Sequence, residues 1–206
     1  MKLASIRRSW IQPAIGLAIV FVMAGCNKSR THTNQLDTAG MHPESIEALR
    51  KYQVNDAEVQ QVVIAGNAGM SEKDCVELVR IARSRDRVFA EGEVVAGLLG
   101  AGTKEGTVME LVRLDELTRF GGEAEAMRLA GLSDEVILDV ARHRSKGEAV
   151  LSAVRLAELR DAGFSNAQLL AALDRGISDQ QAEQAIAHHD YVVGGHSFVR
   201  QTGRRR

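Results

Sequence analysis

The 206-residue sequence predicts an all-α body built from repeated short helical hairpins. Three observations carry that expectation. Apolar residues recur at helical spacing: Cys75, Leu78, Val79 and Ala82 follow i, i+3, i+4, i+7. Asn166, Leu169, Leu170 and Leu173 do the same with a polar first member. Strand signals are missing, because no stretch sustains period-2 alternation and aromatic residues make up only 4%. Finally, one junction recurs as Ala68-Gly69-Met70-Ser71, Ala130-Gly131-Leu132-Ser133, Ala162-Gly163-Phe164-Ser165 and Arg175-Gly176-Ile177-Ser178, with Ala101-Gly102-Thr103-Lys104 a looser copy.

Each junction position has a physical reason. Glycine ends a helix because it adopts the left-handed conformation at little cost. The apolar residue tucks under the turn, and serine caps the next helix by accepting a backbone N–H. Gln168 and Gln181 stand three residues after their caps and complete capping boxes. Glu58, after the cap Asn55, and Asp74, after Ser71, are expected in a similar part.

The chain begins with Lys2, Arg7 and Arg8, followed by an uncharged apolar run from Ala14 to Met23, and then Ala24, Gly25 and Cys26. A basic start, a short apolar core and a small-residue exit describe a secretory signal peptide over residues 1–25. The run is too short to cross a hydrocarbon core, which needs about 20 residues. Met23-Ala24-Gly25-Cys26 resembles the lipobox of bacterial lipoproteins, with Met23 where leucine is usual. That resemblance, confined to residues 1–26, implies cleavage between Gly25 and Cys26. It also implies a diacylglyceryl group on Cys26, acylation of the new amino terminus, and the membrane as partner through those chains. Two or three acyl chains hold a protein firmly, at about 0.8 kcal/mol per buried methylene. Cys26 is followed by Asn27 rather than aspartate. In enterobacterial lipoproteins that leaves out the inner-membrane retention signal and implies an outer-membrane anchor facing the periplasm.

Residues 26–42 are polar after the cysteine, lack periodicity and read as a flexible tether. Pro43 stands where helices begin, and residues 43–190 read as the helical domain. The glycines at 69, 102, 131 and 163 recur at about the length of one helical hairpin. The short step from Gly163 to Gly176 suggests that the array closes with a tight hairpin. Signature residues of tetratricopeptide and ankyrin repeats are missing. Two architectures stay open, a regular α-solenoid-like array and an irregular bundle. Residues 191–206 form a basic tail with Arg200, Arg204, Arg205 and Arg206, suited to anionic headgroups or wall polymers.

No constellation of catalytic residues is visible: Gly-x-Ser-x-Gly, a phosphate loop, His-Glu-x-x-His and Cys-x-x-Cys are all missing, so no enzyme and no cofactor is expected. The glycines at 92, 97, 100, 102 and 106 suit a hinge or close helix packing. His188, His189, Asp190 and His196 are the weak candidates for a metal set, since adjacent histidines on a helix point apart. Cys75, left without a partner if Cys26 is lipidated, reads as a small buried hydrophobe. Removing Lys2, Arg7 and Arg8 with the signal leaves a mildly acidic chain, which excludes nucleic acid as a partner. The expectation is a lipid-anchored envelope lipoprotein. Its helical-hairpin body would be a non-enzymatic interaction module for another envelope protein or the cell wall. The alternative is an anchored ligand- or metal-binding protein using the His188–His196 segment.

Overall fold

The computed structural model describes residues 31–187, with their side chains from Asn34 onward. Eleven α-helices and no strand occur among these residues. They are α1 (Thr31–Thr38), α2 (Pro43–Lys51), α3 (Asp56–Asn67), α4 (Glu72–Ser84), α5 (Gly92–Gly100), α6 (Glu105–Arg113), α7 (Leu117–Leu129), α8 (Asp134–Ser145), α9 (Ala153–Asp161), α10 (Asn166–Asp174) and α11 (Asp179–Ala187). None is long enough to persist alone in water, so each must bury a face on its neighbours.

The neighbours follow a strict order. Each odd helix packs on the next odd one, from α1 on α3 through to α9 on α11. Each even helix packs on the next even one, from α2 on α4 through to α8 on α10. Hairpins α1–α2, α3–α4, α5–α6, α7–α8 and α9–α10 join the two layers. Packing of every helix on the one two places ahead is the geometry of a regular array, and it decides between the architectures the sequence left open. A single apolar cluster runs between the layers from Leu36 to Ala182.

The repeating unit is longer than one hairpin. Ten described residues have positive φ, and each follows a helix end: Gly40, Gln53, Gly69, Asp86, Gly102, Asp115, Gly131, Gly147, Gly163 and Gly176. Gly40, Gly102 and Gly163 lie 62 and 61 residues apart, as do Gln53, Asp115 and Gly176. Gly69 and Gly131 are 62 residues apart, and Asp86 and Gly147 are 61 apart. The unit is therefore two hairpins of about that length. The regular glycine pattern in the sequence marks the odd-to-even turns, because Gln53, Asp86 and Asp115 hold the even-to-odd positions that Gly147 and Gly176 fill later in the chain.

This corrects the expected closing hairpin. The short step from Gly163 to Gly176 recurs between Gly40 and Gln53 and between Gly102 and Asp115. Helix α11 packs on α9 and is an ordinary step of the array. The tether is corrected too: α1 lies inside it, packed on α2 and α3, with Leu36 fully buried. One apolar residue in Thr31–Thr38 gives no readable period, and it is tertiary packing that holds the helix.

The junctions have the expected chemistry. Met70, Leu132 and Phe164 donate their N–H groups to the carbonyls of Ala65, Met127 and Leu159, each at 3.1 Å, closing the helix end around the glycine. All three side chains are buried. Ser71, Ser133, Ser165 and Ser178 accept from the backbone N–H three residues on. Asn55–Glu58, Ser165–Gln168 and Ser178–Gln181 form reciprocal capping boxes. Asp74 does not close a box on the Ser71 N–H, which is taken by Glu105 of the next even helix.

Among the enriched glycines, Gly92 serves close packing: a Cβ there would lie 2.2 Å from the backbone oxygen of Gln61, where α5 crosses α3. A Cβ on Gly121 of α7 would lie 2.3 Å from Val94 of α5. A Cβ on Gly97 would meet the Glu125 carboxylate, whereas Gly100 and Gly106 face nothing within 4 Å.

Candidate functional site

The even helices run parallel, so their N-termini line one edge of the array. There, the N–H of each N-cap residue donates to the side chain of the first residue of the next even helix. His42 donates to Glu72 Oε2 at 2.9 Å, Ser71 to Glu105 Oε1 at 2.6 Å, Lys104 to Asp134 Oδ2 at 3.1 Å and Ser133 to Asn166 Oδ1 at 3.2 Å. In the odd layer, and so at the opposite edge, Ser152 donates to Asp179 Oδ1 at 3.2 Å. The last two helices close on themselves, with Ser165 N–H on Gln168 at 2.8 Å and Ser178 N–H on Gln181 at 2.9 Å. Every acid in this ladder stands at the positive end of a helix dipole.

The ladder makes this edge acidic, and its acids titrate unequally. Partial burial, with the neighbouring Glu105 carboxyl, raises the Asp74 carboxyl above its ordinary value. At Glu105 burial acts the same way, but the bonds from Ser71 and Asp74 outweigh it and leave the group below its ordinary value. The ring of His42 meets Glu72 Oε1 at 2.7 Å, which raises the imidazole and lowers the carboxyl.

The opposite edge gathers the C-termini of the even helices and the N-termini of the odd ones. Glu58, in the first turn of α3, is fully buried and accepts from Arg83 at 2.5 Å and from the N–H groups of Phe89 and Asn55, each at 3.1 Å. Arg83 also donates to the Tyr52 carbonyl at the end of α2. One unit later, the buried Glu116 lies 3.5 Å from Arg144, whose guanidinium stacks 4.9 Å above the Phe120 ring. Arg85 donates to the carbonyls of Val112 and Arg113 at the end of α6. Arg85 and Arg87 both bond Asp115, and Arg87 holds that carboxyl low. Arginine at the last turn thus caps a neighbour's carbonyls while neutralising a carboxylate. Lys51, Arg113, Arg119, Arg142 and Lys146 are exposed along the same edge.

Gly25, Cys26, His188, His189, Asp190, His196 and the four arginines of the tail lie outside the described residues. Cys75 is fully buried, with its thiol 3.9 Å from the Val62 carbonyl. Burial, and then Glu105 and Asp74, push its pKa up to about 12, so it stays a thiol. Among the described residues no three His, Cys, Asp or Glu side chains come together to hold a metal. An open groove between α1 and α3 is lined by Asn34, Gln35, Thr38, Gln60, Val63 and Ile64. The exposed Val88, Leu129 and Val154 sit on separate elements, as isolated apolar residues commonly do. Glu72, Glu105 and Asp134 directly follow the last residue of their junctions in the sequence, but nothing there singles them out, because their partners lie some 30 residues away.

A scan against protein-family models matches nothing in this chain, and a comparison with curated protein sequences matches nothing either.

Proposed function

We propose that this chain is a lipid-anchored protein of the bacterial envelope whose helical array is a non-enzymatic interaction module. Residues 1–26 supply the anchoring half of the reading through their charged start, apolar core and lipobox-like exit. The interaction half rests on one observation: helices packed in two parallel layers expose long faces built from many short elements. Arrays of this kind work by presenting such extended surfaces to a partner. The partner is another envelope protein or the cell wall.

The test uses the native protein from bacterial membranes. Mass spectrometry is expected to find acylated Cys26-Asn27 as the amino terminus, and Cys26→Ser is expected to release the protein from the membrane fraction. An intact Met1-to-Gly25 segment in the mature protein overturns the anchor. Capture from solubilised membranes is expected to bring down a specific envelope component that Cys26→Ser still binds. Stabilisation of the protein by zinc would instead favour ligand binding through His188–His196.

A further inference from the structure

The two layers are not equally spaced. Gly92 brings the backbone of α5 onto that of α3, where a Cβ would lie 2.2 Å from the Gln61 oxygen. Gly121 does the same for α7 against Val94 of α5. The even helices make no such contact, because their single glycine, Gly106, meets nothing within 4 Å. The hairpins tie the layers together, so closer spacing on one side bends the array toward that side. The odd helices therefore line the concave face. Residues spaced i, i+4, i+7 point out along it: Glu93, Gly97 and Gly100 on α5, and Val154, Glu158 and Asp161 on α9. The buried Val95, Leu98, Leu156 and Leu159 hold the opposite sides of these two helices.

Charge is also distributed unequally. The odd helices carry ten acids against four arginines and no lysine. The even helices carry eleven acids against eight arginines and lysines. On the outer side of the even layer the acids are paired within their own helices, as Glu47–Arg50, Glu77–Arg80 and Glu110–Arg113. The odd layer lacks the cations for this. Arg128 and Arg160 donate to helix-end carbonyls, and Arg155 is shared between Glu158 at 2.6 Å and Glu183 at 3.8 Å. Arg119, the fourth, acts on Asp115. Among the described residues, the carboxylates of Glu93, Glu125 and Asp161 have no cation or hydrogen-bond donor on them. Glu93 and Gly97 lie one turn apart on α5, and the Glu125 carboxylate of α7 lies over Gly97. Two bare carboxylates thus stand close together in the floor of the concave face.

We propose that the concave odd-helix face, centred on Glu93 and Glu125, binds a lysine- or arginine-rich segment of a partner protein. This rests on the interaction-module reading and narrows its partner to a basic polypeptide. Gly100, Gly122 and Ala126 are exposed and small, so a partner's backbone can come close to the floor. Its cationic side chains then relieve carboxylates that the free protein leaves without counter-charge. Such complementarity speeds encounter and rejects acidic competitors.

The experiment uses the full chain in neutral detergent and a fluorescein-labelled peptide of alternating lysine and alanine, with binding read by anisotropy. The parent is expected to bind this peptide and not its glutamate–alanine counterpart. Glu93→Lys/Glu125→Lys is expected to weaken binding about tenfold. Glu93→Gln/Glu125→Gln, which keeps the side-chain shape, is expected to weaken it several-fold. Glu47→Lys/Glu110→Lys makes the same change in net charge on the even layer and is expected to leave binding within about twofold of the parent. Equal losses in the two lysine variants, or no binding by the parent, overturn this inference and leave the module reading standing. Tighter binding by Arg200→Ala/Arg204→Ala/Arg205→Ala/Arg206→Ala would make the chain's own tail the occupant and also overturn it. Capture from solubilised membranes that recovers no specific component overturns the module reading and this inference together.

Discussion

The Ser71 N–H donates to Glu105 Oε1 at 2.6 Å, from the start of α4 to the start of α6. The carboxylate of one repeat thus does the work that Asp74, on Ser71's own helix, is spaced to do. Asp74 is left partly buried against Glu105 with its carboxyl raised, while Glu105 is lowered. The two acids contribute to stability with opposite sign. A carboxyl raised in the fold binds its proton more tightly than in the unfolded chain, so stability falls as pH rises through the Asp74 value. A lowered carboxyl stabilises above its unfolded value of about 4, and that contribution is lost as pH falls through its folded value. Melting temperatures of Asp74→Asn from acid to neutral pH are expected to fall less on alkalinisation than those of the parent. Glu105→Gln is expected to lose less on acidification. The same pH dependence in both variants would show that the two carboxyls are not shifted in opposite directions.

Glu58 tests the other edge. It is fully buried, and among the described residues Arg83 is the cation bonded to it. Arg83→Met leaves a buried carboxylate without its charge partner and is expected to cost about 3–5 kcal/mol in urea unfolding. Glu58→Gln removes the buried charge and keeps one acceptor oxygen, so only one of the Phe89 and Asn55 N–H groups loses its partner, and it is expected to cost less. Equal losses would mean that hydrogen bonding, not charge, decides the site.

The Gly163-Phe164-Ser165 junction separates three terms. Gly163 has φ of 93°, and a Cβ there would meet no neighbour within 4 Å, so Gly163→Ala is expected to cost about 1 kcal/mol through backbone strain alone. Ser165→Ala removes a cap, also about 1 kcal/mol. Phe164 is buried, and Phe164→Ala is expected to cost about 3 kcal/mol. Thr103 holds the same slot one unit earlier with its buried hydroxyl unbonded. Thr103→Val is therefore expected to stabilise, by about 1 kcal/mol. Urea melts check the order, and a neutral Phe164→Ala would make the junction a surface turn.

Close helix packing gives a matched pair of glycines. Gly92→Ala drives a methyl group into the Gln61 backbone and is expected to cost about 1–3 kcal/mol. Gly122, exposed within α7 and facing nothing within 4 Å, is expected to gain up to about 1 kcal/mol on change to alanine. Thermal melts showing the same sign for both would remove close approach as the reason for Gly92.

The helices and their caps were legible in the sequence because they depend on near neighbours. A glycine, an apolar residue and a serine meet within one turn, and Gln168 or Gln181 reaches its cap three residues away. The periodic faces of α4 and α10 were legible for the same reason. What only the tertiary structure decided depends on residues about 30 or 60 positions apart. Helix α1 carries one buried leucine and exists because α2 and α3 lie beneath it. The double-hairpin unit was hidden because Gln53, Asp86 and Asp115 adopt the left-handed conformation without being glycine, held there by the turns they close. The Ser71–Glu105 bond and the two unequal edges follow from the parallel stacking of even helices, which brings together helix starts that the chain keeps a hairpin apart.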